Sequence, residues 1–126
     1  MTKILMLLLG GGAGAVARYS LAGFVSNIFP GLFPAGTMLV NLSGSFLIGF
    51  LWGLTEIFNI SPNIRTFIFI GFLGSFTTFS TFALESFSLV RDNEKYFALI
   101  NILLSNAGAI ILVFLGFFIA KAIGGN

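Results

Sequence analysis

Apolar residues in this chain come in four long runs separated by short polar turns, with no sustained alternation of apolar and polar positions. A helix needs about 20 mostly apolar residues to cross the hydrocarbon layer of a bilayer. Runs of that length cover residues 4–28, 35–58, 64–90 and 96–123. Pro30 and Pro34 precede the second run, Ser61-Pro62-Asn63 the third, and Arg91-Asp92-Asn93-Glu94-Lys95 the fourth. Lipid accepts only helices or closed barrels, because every backbone group must be paired internally, and barrel strands would alternate. The pattern predicts an all-α integral membrane protein, a single membrane domain over residues 1–126 with four transmembrane helices. No linker, low-complexity segment or internal repeat interrupts it.

Composition agrees with that reading and removes several functions. The chain is 57% hydrophobic and 8% charged, against about 25% charged in an ordinary soluble domain. The net charge of +2 is too small and too scattered for a nucleic-acid footprint, so no nucleic-acid partner is expected. Cysteine and histidine are both missing, which excludes disulfides and thiolate sites and removes the commonest general base and metal ligand. Lys3, the apolar run after it and Ala15-Val16-Ala17 have the form of a cleavable signal peptide. Removing it would leave an equally hydrophobic remainder. The stretch Gly10-Gly11-Gly12-Ala13-Gly14-Ala15 imitates a dinucleotide fingerprint, but the next acidic residue is Glu56 and no βαβ unit fits here. Gly10 and Gly14, and Gly49 and Gly53, stand at the spacing that lets membrane helices approach closely.

Charges choose no orientation. Four spans place Lys3, Arg65 and Lys121 at one membrane face and Arg18, Arg91 and Lys95 at the other, three against three. A chain inserted both ways can form an antiparallel two-fold dimer.

Polar residues at membrane depth are costly and therefore informative. Gly71, Gly74, Ser75, Thr77, Thr78, Ser80 and Thr81 crowd the middle of the third run. Two readings follow: a break whose freed carbonyls can coordinate a cation, or an unbroken helix whose hydroxyls bond back to the preceding turn. Phe79 and Phe82 lie three apart, on nearly one helical face, and their positive ring edges can face a small anion. Asn41 and Asn106 each bring an amide that can bind an anion or brace a neighbouring helix. Thr37, Ser43, Ser45 and Ser105 can line a wet path or bond locally. Arg18 and Glu85 fall in halves of their spans that share one membrane side, which suggests a pair or the flanks of a vestibule. Neither Glu56 nor Glu85 sits at mid-span, where a proton-coupled transporter needs its carboxylate. The pattern favours passive conduction and no enzymatic activity.

Three motifs then resemble the Fluc (CrcB-type) fluoride channel family. They are Gly11-Gly12-x-Gly14-Ala15-x-x-Arg18-Tyr19, Gly36-Thr37-x-x-Val40-Asn41-x-x-Gly44, and Gly71-x-x-Gly74-x-x-Thr77-Thr78-Phe79-Ser80-Thr81-Phe82 followed by Glu85. A tail Leu115-Gly116-Phe117-Phe118 is similar too. The resemblance implies a dual-topology antiparallel homodimer in the cell (inner) membrane of a prokaryote, with lipid around it and two separate pores that export fluoride passively. It implies a break in the third helix. It assigns Phe79, Phe82 and Asn41 to the anion path, Ser80 and Thr81 to a hydroxyl track, and Arg18 to a vestibule. It gives the backbone carbonyls of Gly74 and Thr77 to a central structural sodium ion. Phe76 and Ser75 depart from the pattern, in which smaller residues are expected beside the break. A small multidrug exporter would need a carboxylate in the first span, which has none. A membrane scaffold without transport is the other rival class.

Overall fold

The computed structural model describes residues 1–125, and the regular secondary structure among them is all helical. Helix α1 covers Thr2–Ile28 and α2 covers Ala35–Thr55. The third span is composite: α3 (Pro62–Arg65), a π-helical segment (Thr66–Leu73), α4 (Gly74–Phe76) and α5 (Phe79–Arg91). Helix α6 covers Lys95–Gly124. Four units are long and apolar enough to cross a bilayer: Thr2–Ile28, Ala35–Thr55, Pro62–Arg91 and Lys95–Gly124.

Local chemistry explains most of the boundaries. Pro62 occupies the first turn of α3, where its missing N–H costs nothing, and the Ser61 hydroxyl accepts from the Ile64 amide. Helix α5 ends with Asn93 at φ 65°. The Glu94 amide donates to the Leu89 carbonyl (2.8 Å) and the Asn93 amide to the Val90 carbonyl (3.1 Å). That is the Schellman arrangement, with asparagine in the left-handed position that glycine usually fills.

Glycines decide how the spans pack. A Cβ on Gly10 would lie 2.5 Å from the Phe67 carbonyl oxygen, and one on Gly14 would strike the Phe72 carbonyl and the Ser75 hydroxyl. These contacts seat α1 alongside the first half of the third span. Gly49 faces the Val113 backbone and Gly116 the Phe46 carbonyl, so α2 and α6 lie side by side along their length. The interior is small and partly polar: Thr37, Thr78, Ser86, Asn101 and Ser105 are buried. Large apolar side chains such as Leu8, Ile111 and Phe118 face outward. This inversion of a soluble protein suits lipid as the outer medium.

The third span does break, and it breaks at its centre. Thr77 (φ −82°, ψ 156°) and Thr78 (φ −148°, ψ 113°) are extended between α4 and α5. The eight π-helical residues ahead of the break were not foreseen in the sequence. They lie where Gly71 meets Gly10 backbone to backbone. Both departures from the family pattern find a place. The Ser75 hydroxyl bonds back to the preceding turn, within reach of the Gly71 and Phe72 carbonyls (2.8 and 3.1 Å). Phe76 is buried over Gly44 and stacks on Phe72, with ring centroids 5.8 Å apart.

Candidate functional site

The break is held open by one side chain. The Asn41 Nδ2 donates to the Thr78 carbonyl (3.0 Å), and Asn41 Oδ1 accepts from the Thr78 amide (2.7 Å). Asn41 therefore replaces both partners that a neighbouring strand would give an extended residue. In an unbroken helix the Thr78 amide would donate to the Gly74 carbonyl. Its bond to Asn41 frees that carbonyl. The Thr81 amide, which would otherwise reach the Thr77 carbonyl, turns to the Thr78 hydroxyl (3.3 Å), the N-cap of α5. Thr77 thereby loses its helical acceptor bond as well. Gly74 is exposed on the protomer surface and Thr77 half-buried.

A cavity of about 370 Å³ opens beside the break. Asn41, Ser45, Thr77, Thr78, Phe79 and Phe82 line it, joined from α6 by Ser105 and Asn106. The two rings lie 5.4 Å apart, tilted by 50°. Phe82 is 8% exposed and Phe79 74% exposed, so one ring belongs to the protomer's interior and the other to its surface. Ser80 and Thr81 gather instead around the Thr78 hydroxyl, at 3.4 and 2.9 Å, outside the cavity lining.

The suggested Arg18–Glu85 pair does not form. The ion pairs among the described residues are Arg91–Asp92 (2.8 Å) and Lys121–Glu56 (2.6 Å). Glu85 Oε1 accepts from the Thr37 hydroxyl (2.7 Å) instead. Oε2 is buried without a partner among the described residues. Sharing a membrane side does not make a pair, because two residues at one depth need not face each other. Glu85 lines a second cavity of about 400 Å³ at that end, with Ser26, Phe33, Ser88 and Asp92. Asp92 is exposed there, and hydrogen bonds from Arg91 hold its carboxyl below the usual carboxylate range.

The remaining polar side chains divide as follows. Ser43 and Ser45 bond locally, to the Val40 and Asn41 carbonyls. Asn101, not singled out in the sequence, is 1% exposed. It donates to the Ser86 hydroxyl (3.0 Å) and accepts from that of Ser105 (3.2 Å), clamping α6 to α5. Its spacing from Ser105, four residues on one helical face, is the signal that would have found it.

The geometry fits what comparison with known proteins shows. The family described as "CrcB-like protein, Camphor Resistance (CrcB)" matches residues 5–117. The chain is 43% identical over 123 residues to a fluoride-specific ion channel FluC of Parabacteroides distasonis, covering 98% of this chain and 96% of that one. It is 47% identical over 124 residues to one of Pyrococcus furiosus, covering 96% and 98%. A third, of Desulforapulum autotrophicum, is 47% identical over 106 residues, covering 83% and 85%.

Proposed function

This chain belongs to the CrcB family, and on that premise we propose that it is a fluoride channel working as an antiparallel homodimer with two pores in the cell membrane of a prokaryote. The observation that carries the reading is the Asn41–Thr78 clamp beside the Phe79–Phe82 pair. It sets an amide with a spare N–H and two aromatic rings around one cavity at the centre of the broken span.

Each residue has a definite part. An amide nitrogen carries two protons, and Asn41 commits one to Thr78. The other can replace water around a dehydrated anion. The ring edges of Phe79 and Phe82 carry partial positive charge without hydration of their own. Among the described residues, no carboxylate lines this cavity to repel an anion. Glu85, held by Thr37, stands in the second cavity, which we read with Arg18 as vestibule. Ser80 and Thr81 extend the polar edge of the path from the α5 cap.

The protomer's surface supports the dimer reading. Phe79 and Gly74 are exposed although they border the break. A second copy related by a two-fold axis would cover that face with the same residues. The carbonyls of Gly74 and Thr77 suit the structural sodium ion implied by the family. They are hard oxygen donors freed by the break, and without a carboxylate beside them they match a single positive charge better than a double one. Such an ion would neutralise oxygens that would otherwise be unpaired at depth.

The test is fluoride efflux from liposomes that contain this chain alone, followed with a fluoride electrode. Rapid efflux, with chloride retained, is the expected result. Efflux no faster than from protein-free liposomes would leave only a non-conducting membrane scaffold.

A further inference from the structure

We propose that Asn106 is a second anion-contacting amide, brought to the Asn41 cavity from the fourth span; the proposal rests on the fluoride-channel reading. A dehydrated anion needs N–H or O–H donors, and the four hydroxyls among the described residues lining this cavity are already committed. A hydroxyl carries one proton. That of Ser45 goes to the Asn41 carbonyl (2.8 Å), and that of Thr77 to the Leu73 carbonyl (3.0 Å). Thr78 donates to the Thr81 hydroxyl (2.9 Å) and Ser105 to Asn101 Oδ1 (3.2 Å).

The two amides differ, because each nitrogen carries two protons. Asn41 uses one on the Thr78 carbonyl. Asn106 uses one on the Ile102 carbonyl, at 2.7 Å within its own helix. That bond fixes which amide atom is nitrogen, since the oxygen cannot donate to a carbonyl, and it fixes the amide plane. The second N–H of each asparagine is thus the side-chain donor left for an anion in this cavity.

The position of Asn106 supports the same conclusion. It is exposed, between the exposed apolar residues Leu103 and Ile110, within about one helical turn of the middle of Lys95–Gly124. An amide facing hydrocarbon at that depth is costly. Facing the cavity, it has use for its free proton. Asn41 is tied to the broken backbone, so the two donors come from separate spans and can hold an anion between them.

The experiment compares wild type, Asn106→Leu and Asn106→Gln as dimers in the same liposome efflux assay, at several fluoride concentrations, with Asn41→Asp as a non-conducting control. Leucine removes the donor at similar volume. Losing one hydrogen bond to an ion should slow efflux by about tenfold or more and raise the fluoride concentration that saturates it. Glutamine keeps the donor and should stay within about threefold of wild type. Wild-type efflux from Asn106→Leu would overturn this inference and leave the channel reading intact. Loss of the dimer in both variants on gel filtration would also overturn it, by assigning Asn106 to assembly. A wild-type protein that fails to conduct would overturn the channel reading itself, and this inference with it.

Discussion

Phe79 and Phe82 are alike in sequence and opposite in burial, which separates two effects that a substitution usually mixes. Phe79 is 74% exposed on the protomer. Phe79→Ile should leave protomer stability within about 0.5 kcal/mol while cutting fluoride efflux strongly. Phe82 is 8% exposed, and Phe82→Ile should cut efflux and also cost about 1–3 kcal/mol from a misfitted core. Melting measurements on separated protomers and efflux measurements on the reconstituted dimers check both statements. Asn41→Asp retains an acceptor for the Thr78 amide but sets a carboxylate against the Thr78 carbonyl. Efflux should fall to background; near-normal efflux in all three variants would show that these residues only pack. The sequence named all three residues. It could not name their partners, since the Asn41–Thr78 clamp joins positions 37 apart in the chain.

Among the elements, the contrast between glycines is the most testable. Gly49 faces the backbone of Val113, whereas a Cβ on Gly12 would meet nothing within 4 Å. Gly49→Ala must push α2 off α6 and should cost about 1–3 kcal/mol. Gly12→Ala should be neutral or slightly stabilising, because alanine is the better helix former. Thermal unfolding of both proteins in detergent would decide it, and equal melting temperatures would contradict the packing described. Sequence spacing marked Gly10, Gly14, Gly49 and Gly53 as contact residues, and each proves to face a neighbouring span closely. The weak helix formers clustered there left two readings, a break or a back-bonded helix, in the third span, and the extended Thr77 and Thr78 decide for the break. The π-helical turns of Thr66–Leu73 were not legible, since TFIFIGFL reads as an ordinary apolar helix. A π turn reflects the fit against α1 more than local propensity.

At the scale of the whole molecule, the proposed antiparallel assembly rests on a balance of few charges. Lys121 pairs with Glu56, and Arg65 lies over the Trp52 ring at 5.2 Å, so these basic groups are held at one end. Arg91 and Lys95 lie at the other, and Lys3 with the first group and Arg18 with the second complete the count of three against three. A single cysteine introduced beside Lys121 should be labelled from both sides of the membrane. Uniform one-sided labelling would contradict dual insertion. Two or three lysines added beside Lys3 should fix one orientation, and such protein alone should lose efflux because it lacks an opposed partner. The sodium reading predicts that a high-resolution structure in sodium shows an ion on the two-fold axis between the Gly74 and Thr77 carbonyls. Continuous water there, with no ion, would refute it.

The sequence by itself determined the medium, the number of spans, the place where a break could fall and the polar residues at depth. Those properties depend on local composition and on the length of apolar runs, which hydrocarbon thickness reads directly. Tertiary structure decided which polar groups meet. It gave Glu85 to Thr37 and not to Arg18, and it drew Asn101 between Ser86 and Ser105. It also tied Asn41 to Thr78, so that the carbonyls of Gly74 and Thr77 came free. Pairing of this kind depends on the rotation of each helix about its axis. In lipid that rotation is set by where glycines let two backbones touch, and a one-dimensional pattern records the glycines but not the surfaces they meet.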